Sequence, residues 1–224
     1  MLILNFDTCF NKTYITLRNN ENIIENIVVS STDKDYHSVF LIPKIRDILR
    51  KNNILIKDLT AIGVNIGPGS FTGIRAGITI ARVLAQQANL KLVGVPSLQI
   101  LSKINKNGGK TTVILDARKN KVYFAEYDGD KTVTEPMLVE VDLLVEKTDK
   151  NSFIVTDSKM YELLKENGLN SVKYEENDSD LGLYLDDITY KMLKNSDNDF
   201  NWAKVKPLYI QPPSISKPKA VKNV

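Results

Sequence analysis

The chain has 224 residues, with 30 Lys and Arg against 27 Asp and Glu, a formal charge of +3 and 42% apolar residues, which is ordinary globular composition for one large or two small domains. A single cysteine, Cys9, and a single histidine, His37, exclude an internal disulfide, a zinc finger and any two-histidine metal motif. No apolar run approaches the roughly 20 residues that span a bilayer, so the sequence predicts a cytoplasmic protein without a membrane segment.

Short β-like runs at Leu2 to Phe6, Thr13 to Leu17 and Ile23 to Val29 are separated by turn residues and predict an antiparallel meander. A helix follows from Tyr36 to Lys51, with Leu41, Ile45, Ile48 and Leu49 on one face and Pro43 marking a kink or a late start. Val39, Phe40 and Ile42 lie off that face, so the helix is either deeply buried or offers a second face to a partner. The run Ala61 to Ile66, a glycine-rich turn, a helix from Thr72 to Ala88 and a strand from Lys91 to Val95 form a βαβ crossover. A short helix begins after Pro96-Ser97, and Asn105 to Gly109 is the strongest breaker in the chain. The expected lobes are 1–106 and 107–224.

Beyond that breaker the opening of the chain repeats. A constant offset of 109 residues lays Asp7 on Asp116, Asn11 on Asn120, Lys12 on Lys121 and Tyr14 on Tyr123, as a duplicated fold would. The second half continues with β-like runs Val133 to Val141 and Phe153 to Val155 and a helix from Lys159 to Asn167. A final helix carries Leu181, Tyr184, Leu185, Ile188 and Met192. Pro207 to Ile210 reads as a last edge strand, followed by a polyproline-like tail that is basic through Lys217, Lys219 and Lys222.

The turn Gly67-Pro68-Gly69-Ser70-Phe71-Thr72-Gly73 has two readings. One is an anion site, where backbone N–H groups and a helix dipole converge. The other is a tight turn in which glycines permit unusual backbone angles and Ser70 or Thr72 caps the helix. It lacks the lysine of a phosphate loop, and its GxGxxxG spacing misses the dinucleotide fingerprint by one residue. Arg75, one turn on, clamps an anion or binds the loop's own carbonyls or an acid. Asp7 and Thr8, opposite Asp116, read either as a metal and phosphate pair across a cleft or as ordinary strand-end turn chemistry. Cys9 has no histidine near it in sequence to activate it.

The run from Ile66 to Gly77 resembles the signature of the bacterial TsaB (YeaZ) family. Further ordered similarities are Phe6-Asp7-Thr8 to that family's IDTS, His37-Ser38 with Leu41-Ile42-Pro43 to HS...LLP, and Val93 to Leu98 to VGVSSLEAL. Asp116-Ala117-Arg118 with Val122-Tyr123 resembles DARRGEVY, and Pro207 to Ile210 resembles the closing P.YLR. Asn5-Phe6 replaces the commoner small apolar pair, and Gln86-Gln87 also departs from the pattern. The resemblance implies an actin-like (ASKHA), α/β, duplicated two-lobed fold with mixed sheets flanked by helices. It also implies a non-catalytic scaffold and activating subunit in N6-threonylcarbamoyladenosine biosynthesis, acting at adenosine 37 of tRNAs that read codons beginning with A.

The implied partners are a catalytic, metal-binding TsaD homologue and, through that pair, the TsaE ATPase, with tRNA bound by the complex and a homodimer formed in isolation. No cofactor is expected in this chain; the metal and the ATP belong to the partner complex. The implied partner face is the first two helices, from which Val39, Phe40, Ile42, Arg46, Ile74, Ile78, Ala81, Arg82 and Ala85 are candidates. Asp7, Thr8 and Asp116 are candidates for a vestigial nucleotide site. The catalytic homologue's metal-binding HxxxH corresponds here to Ser97 and Leu101, so no catalytic residues and no metal site are expected. The alternatives are an independent ATP-dependent enzyme or glycoprotease-like peptidase on the same fold, and direct tRNA binding through the basic tail.

Overall fold

The structure is a computed structural model that describes residues 1–30, 37–175, 180–195 and 199–210, with backbone alone for 37–39. Strands β1 (Leu2–Asp7), β2 (Lys12–Asn19) and β3 (Asn22–Ser30) form the expected antiparallel meander. Alternation along β1 sends Leu4 and Phe6 to one face and Ile3 to the other. Helix α1 (His37–Lys51) continues through Pro43. Strand β4 (Ala61–Asn65), helix α2 (Phe71–Ala88) and strand β5 (Lys91–Val95) make the crossover, with β4 parallel to β1 and β5 parallel to β4. The sheet order is β3-β2-β1-β4-β5.

After α3 (Ser97–Ser102), the second half repeats this plan with β6 (Lys110–Arg118), β7 (Lys121–Asp128), β8 (Lys131–Glu140), α4 (Leu144–Lys147), β9 (Phe153–Thr156), α5 (Ser158–Glu166) and β10 (Ser171–Lys173). Its order, β8-β7-β6-β9-β10, has the same pairing directions. The 109-residue offset maps β2 onto β7 residue for residue and the start of β3 onto that of β8. The fold is the duplicated, two-lobed, actin-like one.

Three apolar cores hold it. Leu41, Ile45, Ile48 and Leu49 of α1 and Ile74, Ile78, Ala81 and Ala85 of α2 cover the outer face of the first sheet. Met160 and Leu164 of α5 and Leu144 of α4 cover the outer face of the second. The middle core joins the lobes by exchange: α3 packs on β6 and β7 of the second sheet, while α6 (Leu181–Asn195) crosses back onto β1 and β2 of the first.

That return crossing carries a buried polar cluster. Asn5 donates through Nδ2 to Thr16 Oγ1 at 3.1 Å and to Asp186 Oδ1 at 2.8 Å. Arg18 Nε donates to Asp186 Oδ2 at 2.7 Å, and the guanidinium lies 4.4 Å from the centre of the Tyr190 ring. Burial raises the Asp186 carboxyl above the usual carboxylate range, against the lowering by Arg18 and Asn5. Asn5, the departure from the family pattern, is thus the residue that ties the middle of β1 to α6.

Two expectations are corrected. Pro207 to Ile210 is not an edge strand: Pro207 has no N–H to donate, and Leu208 makes a single ladder-like bond, to the Ile66 carbonyl at 2.9 Å. The three-residue strand β10 was not anticipated, being too short to show alternation. The proposed polyproline-like tail and its lysines lie outside the described residues. No helix among the described residues is long and apolar enough to cross a membrane.

Removing the Asp186 carboxylate leaves Arg18, whose side chain is 11% exposed, without its ionic partner. Asp186→Ala is expected to destabilise the chain by about 3 kcal/mol, read as a lowered urea midpoint at unchanged slope.

Candidate functional site

The glycine-rich turn begins where β4 ends, and its geometry is set by Asn65. Asn65 Oδ1 accepts from the Gly67 N–H at 2.8 Å and from Ser97 Oγ at 2.8 Å, while Nδ2 donates to Asp7 Oδ2 at 2.7 Å. Asp7 Oδ1 accepts the Cys9 N–H at 2.6 Å. One amide therefore joins the ends of β1 and β4 to the start of α3. Asp7 is fully buried, and desolvation pushes its carboxyl up to about 6 despite these bonds.

The turn between β1 and β2 sits directly on the glycines. Thr8 Oγ1 donates to the Gly73 carbonyl at 2.7 Å, and the Ser70 N–H donates to the Cys9 carbonyl at 2.8 Å. A Cβ on Gly73 would lie 1.8 Å from the Thr8 carbonyl oxygen, and one on Gly69 would lie 2.5 Å from that of Cys9. Ser70 caps α2, accepting the Gly73 N–H at 3.2 Å. Of the two readings of this motif, the turn reading accounts for the glycines: they admit the chain's own backbone.

A cleft of about 870 Å³ lies between the lobes, walled by Pro68 to Thr72 on one side and by Asp116, Arg118, Asp157 and Lys159 on the other. Asp116 is on that wall, ion-paired to Lys159 at 2.7 Å, and its N–H donates to Asp157 Oδ2 at 2.6 Å. Asp7 and Thr8 are not on the wall; their polar atoms are spent behind it on Asn65, Cys9 and Gly73. Cys9 Sγ faces the Asn65 carbonyl at 3.4 Å, and burial with Asp7 beside it pushes the thiol well up, the reverse of nucleophile activation. Ser97 is fully buried on Asn65 and Leu101 is a core residue, so the positions of the catalytic homologue's HxxxH do not fit a metal ion. Among the described residues no three His, Cys, Asp or Glu side chains gather as a metal site.

The candidate partner residues divide by burial. Ile74, Ile78, Ala81 and Ala85 are interior residues of the outer core, so a partner cannot touch them. Val39 lies outside the described side chains. Phe40 is half-buried, Ile42 is 58% exposed, Arg46 is exposed beside Asp47, and Arg82 stands 5.8 Å from the centre of the Trp202 ring. The sequence reading missed Val83, 51% exposed, and treated Phe71, 46% exposed, only as part of the glycine motif. It also missed a carboxy-terminal arm: the Phe200 carbonyl accepts the Leu92 N–H at 2.9 Å, and Tyr209 Oη accepts from Arg75 Nε at 2.8 Å. The Arg75 guanidinium lies 4.0 Å from the Phe71 ring centre, an aromatic neighbour that neither sequence reading of this residue anticipated.

The family described as "TsaD: tRNA N6-adenosine threonylcarbamoyltransferase" matches residues 22–177, more than half of the chain. The chain belongs to this family. It is also similar to curated proteins named TsaB and to solved YeaZ structures. The "tRNA threonylcarbamoyladenosine biosynthesis protein TsaB" of Escherichia coli is 34% identical over 134 residues, which are 58% of this chain and 57% of that protein. The Bacillus subtilis protein of the same name is 28% identical over 178 residues, 75% of this chain and 77% of that one. The solved structure of YeaZ from Pseudomonas aeruginosa superposes with a TM-score of 0.72 at 17% identity, covering 93% of this chain and 99% of that one. At that identity the likeness shows the shared fold.

Two outcomes follow from the knot at the glycine turn. Gly73→Ala forces a methyl into the Thr8 carbonyl, and a loss of about 1–3 kcal/mol is expected in chemical denaturation. For Asp7, the folded value of about 6 lies above the reference 3.8, so the folded state holds the proton more tightly. The stability this group contributes is present below the lower value and is lost as pH rises through the upper one. The wild-type minus Asp7→Asn stability difference is therefore expected to fall by up to about 3 kcal/mol between about pH 4 and pH 7, measured by urea titration across that range.

Proposed function

We propose that this chain is a non-catalytic scaffold and activating subunit of the cytoplasmic machinery that places a threonylcarbamoyl group on adenosine 37 of tRNAs reading codons that begin with A. The coarse part of this reading, a role in N6-threonylcarbamoyladenosine biosynthesis, rests on the curated relatives named for that process. The finer part rests chiefly on the glycine turn, where the chain's own Thr8 and Cys9 backbone occupies the approach to α2 that an anionic ligand would need. A site filled in this way favours a structural role for the motif over phosphate binding.

In this reading the catalytic subunit is a TsaD-type homologue that carries the metal, and the TsaE ATPase and tRNA are met through the pair. The chain's contribution is the outer surface of α1 and α2, where Ile42, Val83 and Phe71 are exposed. Exposed aliphatic and aromatic side chains on two adjacent, well-packed helices suit docking against another helical face. Activation then acts by association, by holding the partner in a productive conformation.

The decisive experiment is size-exclusion chromatography with light scattering of the chain and its organism's TsaD homologue, alone and mixed, followed by threonylcarbamoyl transfer to tRNA. A stable hetero-complex that transfers only when both are present supports the proposal. Transfer or nucleotide hydrolysis by this chain alone would overturn it. Val83→Asp, on an exposed position, is expected to keep the wild-type melting temperature while weakening the pair and its transfer rate at least about tenfold.

A further inference from the structure

The two walls of the interlobe cleft differ in chemistry. No residue lining it from the amino-terminal lobe is charged, whereas the carboxy-terminal lobe contributes three carboxylates, Asp116, Asp157 and Glu175, against Arg118 and Lys159. Lys159 is taken by Asp116 at 2.7 Å. Asp157 accepts two backbone N–H groups, that of Asp116 at 2.6 Å and that of Met160 at 2.9 Å, and Glu175 Oε1 accepts the Ser158 N–H at 3.0 Å. Among the described residues no cation forms an ion pair with either carboxylate, and Glu175 Oε2, shielded from solvent, meets no hydrogen-bond donor. Burial raises the Asp157 carboxyl above its usual range, and the charges of Glu175 and Asp116 push it the same way. An ammonium group, with three donors and a positive charge, would satisfy this wall.

The carboxy-terminal arm leads the chain to the same cleft. The Leu208 N–H donates to the Ile66 carbonyl at 2.9 Å, and the Tyr209 ring, bonded through Oη to Arg75, lies 5.8 Å from that of Phe71. Leu208, Tyr209 and Ile210 consequently line the cavity. Fourteen residues follow Ile210, opening with Gln211-Pro212-Pro213 and carrying Lys217, Lys219 and Lys222 with no acid. A proline-rich chain rises about 3.1 Å per residue, so the seven steps from Ile210 to Lys217 span up to about 22 Å. Such segments dock on aromatic-lined grooves, since their backbone is already extended and loses little freedom on binding. The cleft supplies aromatic side chains in two pairs, Phe71 with Tyr209 and Phe10 with Tyr174, the second bringing a ring from each lobe to 5.6 Å between centres.

We propose that residues 211–224 bind in the interlobe cleft of their own chain, with the proline pair against the aromatic side chains and the lysines on Asp157 and Glu175. The point of attachment and the charge choose this occupant. A segment tethered at Ile210, on the cavity wall, acts at an effective concentration of the order of millimolar, so modest contacts suffice to seat it. Its charge is positive where the wall holds carboxylates without cations, whereas a phosphate-bearing ligand would bring negative charge against the same wall. Seated there, the segment ties one lobe to the other and closes the cavity to small ligands. Its lysines are at the same time withheld from nucleic acid. The inference is independent of the docking face on α1 and α2.

Hydrogen exchange of the full chain tests this. Replacing Lys217, Lys219 and Lys222 together by Glu is expected to speed amide exchange at the end of β6 and the start of α5 about tenfold. Replacing all three by Arg leaves the wild-type rates, and KCl at about 0.5 M acts in the direction of the Glu variant by screening. Carbodiimide treatment, which joins a lysine to a carboxylate in contact with it, is expected to link Lys217 or Lys219 to Asp157 or Glu175 in the wild type. In a mixture of unlabelled and isotope-labelled chains these links fall within single copies. Glu175→Gln removes the link to that position and speeds exchange as the Glu variant does, while circular dichroism checks that each variant folds. Exchange unmoved by charge reversal, or links found only between different copies, would overturn the inference. So would tRNA binding by the chain alone that the reversal abolishes while exchange in the cleft stays the same, since the lysines would then serve nucleic acid.

Discussion

The seating of the Thr8–Cys9 turn on Gly69 and Gly73 is the contact around which the amino-terminal lobe is arranged. Backbone packed on backbone leaves no room for a side chain at either glycine, which fixes the α2 start against the end of β1. Asn65 completes the junction by reaching Asp7, Gly67 and Ser97 together. The interlobe cleft beside this contact has Asp116 ion-paired with Lys159 on its far wall.

Rigidity behind α2 matters for what α2 presents. Its buried stripe, Ile74, Ile78, Ala81 and Ala85, is held against the sheet from within. The carboxy-terminal arm braces one flank through Trp202 and Tyr209, and α1 braces the other. The outward side chains therefore stand on a helix with little freedom to shift, which lowers the ordering cost of any association made through it.

The duplication was legible because three chemical features recur together at the same offset: an acid ending a strand, a tight turn, and a following strand opened by Asn and Lys. Strand pairing then repeats it through β3 and β8, well past the residues that first betrayed it. The buried face of α1 was legible for a similar reason, since four apolar residues at helical spacing admit one inward direction. The outer surface of α2 was not. A helical stripe says which residues share a side, and Ile74, Ile78, Ala81 and Ala85 do share one, but the core claimed it. The residues left outside, Val83 among them, break no pattern. The Asn5, Arg18 and Asp186 cluster was equally hidden: its members are far apart in sequence and each is an ordinary surface residue type until α6 closes over β1. Only the polar side chain in the middle of an otherwise apolar strand hinted at it.

The exchange of α3 and α6 between the lobes bears on how the molecule is made. Arg18 and its partner Asp186 are separated by 168 residues, an interval on the order of 10–30 s at ordinary rates of translation. Throughout that time the inner side of the first sheet, with Ile3 and Tyr14 on it, waits uncovered for a helix still inside the ribosome. The first lobe to emerge is thus the last to be finished, and a chain interrupted before α6 leaves α1 and α2 on an unsealed sheet.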